Sequence, residues 1–154
     1  MNDIDLTEDD KMWLGRATIG GKPFTEWLAS DPPDDKVRAM LVKWLDRGGP
    51  STVFARLLGD RLGADPVRVY AENWPRKAAK LAEAARARGD HPHADTLQSA
   101  LTALMYCANC GRPLEDPVSV ERGIGPDCWE RIDPQWKRSV AERVSAQGVL
   151  PEAS

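Results

Sequence analysis

Apolar positions recur at helical spacing along most of the chain. Val37, Met40, Leu41, Trp44 and Leu45 fall at i, i+3, i+4, i+7 and i+8, the buried stripe of a helix over 34–46. Gly48-Gly49-Pro50 ends it. Phe54, Leu57, Leu58 and Leu62 line the next helix, with Ser51 as its cap and Gly63 as its stop. Upstream, Phe24, Trp27 and Leu28 mark a short helix halted by Asp31-Pro32-Pro33. Thr7 and Asp10 have the spacing of a capping box, which predicts a helix to about Leu14. Residues 1–6 read as a loose tail, and 15–23, with three glycines, as a loop. Asp65-Pro66 opens a short helix through Val67, Val69 and Tyr70, interrupted by Pro75.

Residues 75–88 are rich in alanine, lysine and arginine, all good helix formers, and Gly89 closes that run. After His91-Pro92, a helix over 93–105 is expected to bury Leu97, Leu101, Leu104 and Met105. The short Gly89 turn makes these two helices antiparallel neighbours. There is no internal repeat and no alternating strand before residue 106. The expected fold class is therefore mainly α. A multi-helix module spans 1–105, a small finger 106–132, and a C-terminal helix and tail 133–154. Six of the ten aromatic residues are tryptophan, and core packing is the expected role of those in the helical module.

The finger carries the candidate chemistry. Cys107-x2-Cys110-Gly111 has the spacing of a zinc knuckle, in which both sulfurs reach one metal and glycine leaves the tight turn in a left-handed conformation. Arg112–Leu114 and Val118–Val120 read as a short hairpin across Glu115-Asp116-Pro117. Gly123 and Gly125 allow a sharp return, and Pro126 suits the first position of a helix. Cys128 then lies in that helix's first turn, where free N–H groups favour a thiolate. Knuckle, hairpin and helix together predict a treble-clef-like finger holding one structural Zn2+ on Cys107, Cys110 and Cys128.

The run Cys107, Cys110-Gly111-Arg112, Leu114, Asp116-Pro117, Ser119, Gly123-Ile124-Gly125-Pro126 and Cys128 resembles a small zinc-finger family of unknown function. That family occurs in high-GC bacteria and their phages, sometimes attached to larger nucleic-acid-handling proteins. The resemblance covers residues 107–131 alone. It implies zinc binding and transfers no catalytic residue.

A closed zinc site takes four ligands. His91 and His93 are the two histidines, but fourteen positions of helix, about 20 Å at 1.5 Å per residue, separate His93 from Cys107. Asp127, Glu130, Asp133, Glu115, Asp116 or a water remain as candidates. A zinc deaminase needs a glutamate beside the first ligand and a second C-x2-C, and neither is present. There is no phosphate-cradling glycine loop, no G-x-S-x-G elbow and no His-Glu-x-x-His.

Charge narrows the partner. The net charge is −3. Residues 1–50 carry seven bases and ten acids, 51–112 nine and six, and 113–154 five and eight. Only the middle third is basic, which argues against a chain dominated by non-specific phosphate binding. Arg76, Lys77, Lys80, Arg86 and Arg88 form its basic cluster; Arg68, Arg76, Lys77 and Lys80 are the candidate nucleic-acid contacts, against a solvated outer face as the alternative. Residues 54–73 faintly suggest a helix-turn-helix, with Gly59, Gly63 and Val69 in place but Glu72 where an apolar residue belongs. After the finger, Asp133-Pro134 caps a last helix through Trp136, Val140 and Val144. Trp129 and Trp136 either fasten the finger to the helices or, if exposed, bind a partner.

The acidic start lacks the basic and apolar segments of a signal peptide, no apolar run approaches the about 20 residues of a membrane span, and C-x2-C suits a reducing compartment. The expectation is a cytoplasmic, non-enzymatic, zinc-stabilised binding protein, phage-encoded on the resemblance, that docks on a host protein or a nucleic-acid-processing complex. The first alternative is a DNA- or RNA-binding regulator using residues 51–88 and the finger. The second is a metal-dependent enzyme with an open zinc position.

Overall fold

The capping box at Thr7 forms as expected. Thr7 Oγ1 accepts from the Asp10 N–H at 3.0 Å, and the Asp10 carboxylate accepts from the Thr7 N–H at 3.1 Å. It opens α1 (Glu8–Arg16) in a computed structural model that describes residues 6–146. Ten helices and one two-stranded sheet make up those residues, so the chain is mainly α. The tails at 1–5 and 147–154 lie outside the described residues. The chain divides into two compact units, Met1–Tyr70 and Ala71–Ser154. Residues 106–132 fall in the second of these units, together with the helices that immediately precede them.

In the first unit the expected glycine loop contains a minimal hairpin. β1 (Thr18–Ile19) pairs antiparallel with β2 (Lys22–Pro23) across Gly20 and Gly21, whose φ values of 57° and 84° make the tight return. Two paired residues per strand leave no alternation for sequence reading to detect. The chain continues through α2 (Phe24–Ala29), α3 (Asp34–Gly48) and α4 (Val53–Leu62). Thr52, not Ser51, caps α4, accepting from the Ala55 N–H at 3.2 Å.

The stripe on α3 packs as expected: Val37, Leu41 and Leu45 are buried, against Leu57 and Leu58 from α4. Trp44 stacks on Phe54 at 4.0 Å between centroids, and Phe24 meets Phe54 edge-on at 5.1 Å. Trp13, by contrast, is 53 % exposed and is not a core residue. Arg56 on α4 reaches Asp10 on α1 at 2.9 Å. The Thr7 N–H, then Arg56, hold the Asp10 carboxyl below its usual value. Helix α5 (Pro66–Asn73) crosses the boundary between the units.

In the second unit α6 (Pro75–Ala87) and α7 (His91–Ala103) pack along their lengths as antiparallel neighbours around the Gly89 turn. Ala78, Ala79, Ala82 and Ala85 form the buried face of α6, opposite Ala94, Leu97 and Leu101 of α7. Small residues on one helix let the two backbones approach closely. Asp90 caps α7, so His91 and His93 sit inside its first turn, not in a preceding loop. Helix α7 ends two residues before the expected 105. Met105 turns into a left-handed conformation (φ 64°) and is 57 % exposed; it is not a core residue.

The expected hairpin after the knuckle does not form. Asp116 accepts from the Ser119 N–H at 3.0 Å and caps α8 (Pro117–Arg122). Asp-Pro here is an N-cap followed by N1, the other structure that dipeptide supports. A single bridge joins Tyr106 to Pro113 in place of a ladder. Then come α9 (Pro126–Arg131) and α10 (Pro134–Ala146).

Gly111 seats the knuckle on α6. A Cβ there would lie 2.6 Å from the Cα and the N of Arg76, and φ is +76°. Gly59 makes a similar approach in the first unit, where a Cβ would lie 2.7 Å from the Ala64 carbonyl and from Pro66 Cγ. Gly15, in the last turn of α1, has nothing within 4 Å. Gly111→Ala should therefore cost at least about 2 kcal/mol, from overpacking and left-handed strain together. Gly59→Ala should cost about 1–3 kcal/mol from overpacking alone. Gly15→Ala should be neutral or stabilise by up to about 1 kcal/mol. Urea unfolding followed by circular dichroism ranks the three variants, and equal values for all three would contradict this assignment.

Candidate metal centre

Residues 106–110 make the knuckle through backbone bonds. The Gly111 N–H donates to the Cys107 carbonyl and the Cys107 N–H to the Arg112 carbonyl, both at 2.8 Å. These turn the chain so that Cys107 and Cys110 face the same way. The Ala108 N–H donates to the Gly123 carbonyl at 2.8 Å, which draws the Gly123 turn against the knuckle. That turn delivers α9, where Pro126 is the first residue and Cys128 the third. Cys128 thus occupies the first helical turn, as expected.

The three sulfurs converge. The Sγ atoms of Cys107, Cys110 and Cys128 all lie within 4.8 Å of one another. Cys107 and Cys128 are buried and Cys110 is half-buried. All three are free thiols. The Gly125 N–H points at Cys107 Sγ at 3.3 Å and the Asn109 N–H at 3.4 Å. Burial pushes the Cys107 thiol up, but the N–H groups of Gly125, Cys110 and Asn109 and the neighbouring Cys110 thiol outweigh it and hold Cys107 below its usual value. Burial, with the Cys107 charge beside it, pushes Cys110 up to about 11 although the Arg112 N–H opposes the rise. Cys107 therefore gives up its proton more readily than Cys110.

This donor set fits a metal ion. Thiolates on a tetrahedral ion at about 2.3 Å sit somewhat under 4 Å apart, which falls within the 4.8 Å that bounds these sulfurs. Backbone N–H groups aimed at sulfur are the outer partners such ligands use. Among the described residues no histidine or carboxylate joins the three sulfurs. Asp116 is occupied as the cap of α8, and Asp133 accepts from the Gln135 N–H at 2.7 Å at the start of α10. His91 instead lines an open cleft of about 1020 Å³ with Glu83, Asp95 and Trp136.

The other candidates are placed as follows. Arg68 lies on α5, in the first unit, and is exposed. Arg76, Lys77 and Lys80 are exposed on α6, with Lys77 Nζ 5.5 Å from the Trp74 ring. Trp129 is half-buried, with Arg122 4.3 Å and Lys137 5.6 Å from its ring. Trp136 is half-buried under Arg86, whose guanidinium lies 3.6 Å from the ring centre. Its Nε1–H donates to the Gln98 amide oxygen at 2.8 Å, with the amide oriented by its hydrogen bonds. The cations over both rings come from the same unit, so these tryptophans fasten α8, α9 and α10 to each other and to α6–α7.

Sequence reading passed over Arg112. It is exposed and directly follows the glycine that touches α6. Its only signal was its position beside the knuckle.

Residues 103–133, about a fifth of the chain, match a family described as Family of unknown function (DUF6011). The match takes in the knuckle, α8 and α9, with all three cysteines. No curated protein and no solved structure matches the chain.

Proposed function

We propose that this chain is a non-enzymatic binding protein whose segment 106–132 is held in shape by one structural zinc ion on Cys107, Cys110 and Cys128. The convergence of three thiols, two of them buried, carries this reading. Zinc is the metal of choice for such a sulfur set because it suits thiolates, is redox-inert and accepts tetrahedral geometry without preference. The backbone N–H groups at Cys107 favour the deprotonated form that a metal needs.

Two further observations support a binding role. The unit spends its small helices on holding the knuckle in place, and exposed side chains surround the site. The resemblance to a finger of high-GC bacteria and their phages suggests that the chain docks on a host protein or nucleic-acid-processing complex in the cytoplasm. The enzyme reading would need a general base beside the metal.

Native mass spectrometry of the full chain should find one zinc per molecule. Cys128→Ser should lose it, and chelation of the wild type should lower the thermal midpoint by well over 5 °C, because metal binding contributes directly to folding. Folded protein with three reduced cysteines and no zinc would overturn the reading. Turnover that disappears in a folded Cys128→Ser variant would move the assignment to an enzyme.

A further inference from the structure

We propose that Arg76, Lys77 and Lys80 of α6 and Arg112 of the knuckle form one surface that grips the phosphate backbone of a nucleic acid. This deepens the binding-protein reading and rests on it only in that the knuckle holds Arg112 in place.

The contact at Gly111 creates the surface. With a Cβ of Gly111 2.6 Å from Arg76 Cα, the Cα atoms of Arg112 and Arg76 are at most about 8 Å apart, given one 3.8 Å chain step. Lys80 stands one helical turn beyond Arg76, about 6 Å away. All four cations are exposed. Residues 36 positions apart in sequence are thereby neighbours on one face.

The two segments that meet there contain no acid. Residues 73–82 and 103–114 lack aspartate and glutamate altogether, in a chain that has 24 acids among 154 residues. An even spread would put about three acids in a stretch of that combined length, enough to neutralise the patch. The bordering acids are Glu72, Glu83 and Glu115. Along this helical pair Lys77 lies 5.5 Å from the Trp74 ring, Arg86 lies on the Trp136 ring, and Arg88 pairs with Asp90 at 3.5 Å. The exposed cations of α6 thus lie in its first half, at the knuckle end.

The composition of the patch favours phosphate. Two of the four cations are arginines, whose forked donors match phosphate oxygens. Trp74 and Tyr106, both half-buried, lie within the same two acid-free segments, and Lys77 stands 5.5 Å from the Trp74 ring. The chain's net charge of −3 opposes binding, so the affinity is expected to be modest and steeply salt-dependent.

The test uses the full chain as purified, with zinc per molecule measured on each sample. Fluorescence anisotropy follows a labelled mixed-sequence single strand, and its duplex, from about 50 to 200 mM salt. With up to four phosphates engaged, log K should fall against log salt with a slope of about −3. The triple variant Arg76→Ala, Lys80→Ala, Arg112→Ala should weaken binding at low salt at least about tenfold and flatten the slope by about 2. Lysine at Arg76 and Arg112 should retain most of the slope, which separates lost charge from lost fold. A charge-matched control, Lys36→Ala, Arg38→Ala, Lys43→Ala on α3, should stay within about twofold of wild type. No binding by zinc-loaded wild type, equal loss in the α3 control, or equal competition by polyglutamate would each overturn the proposal. Binding retained in protein that carries no zinc would leave this surface standing and remove the zinc reading instead.

Discussion

The second unit depends on the Cys107 sulfur. It receives N–H groups from Asn109, two residues away, and from Gly125, eighteen residues away. Those two contacts join the start of the segment to its end. The Ala108 N–H on the Gly123 carbonyl runs beside them, so the loop between is closed by backbone bonds before any side chain is considered. Closure brings Cys128 to the other two sulfurs and leaves Gly111 facing outward from the knuckle, against α6. Buried sulfur is a poor place for charge, and a site that gathers three of them with N–H groups pointing inward is arranged for thiolates under a cation.

Local chemistry was legible in the sequence and long-range chemistry was not. The α3 stripe, the Thr7 capping box and the placement of Cys128 in a first helical turn all follow from neighbours within eight residues. The hairpin expected across Glu115-Asp116-Pro117 failed because Asp-Pro serves equally as a turn or as the cap and first residue of a helix. Val118, expected in that hairpin, is 55 % exposed on the short helix α8. Met105 was expected inside because it continues the α7 spacing, but α7 stops at Ala103 and the chain reverses there to begin the knuckle. Arg86 on Trp136 and Gly111 on Arg76 join residues 50 and 35 apart, beyond what periodicity encodes.

The tryptophans show the same division. Trp44 was expected in the core and stacks on Phe54. Trp129 and Trp136 could equally have been exposed anchors, and the cations that cover their faces come from α6, α8 and α10. Burial lowers the Arg86 guanidinium from its usual value, while the nearby carboxylates of Glu83 and Asp95 oppose that fall. A cation accepts such a position only when an aromatic face and a carbonyl-type acceptor replace its water, and Trp136 and Gln98 supply both.

Packing alone holds the segment 106–132 thinly, which explains why a metal would be needed there. Its buried side chains are Cys107, Ala108, Leu114, Ser119, Ile124, Cys128 and Ile132. Only three of these are large aliphatics, each contributing about 1.5–3 kcal/mol on burial. That is little to set against the backbone entropy of ordering the segment. The α6 face offers little in return, since its buried residues are alanines. Segments below about 40 residues usually require a disulfide or a metal for this reason. With three free thiols and no bridge, a metal ion on Cys107, Cys110 and Cys128 would supply that cross-link. The knuckle meets α6 through a bare glycine, and that contact leaves Arg112 exposed beside Arg76.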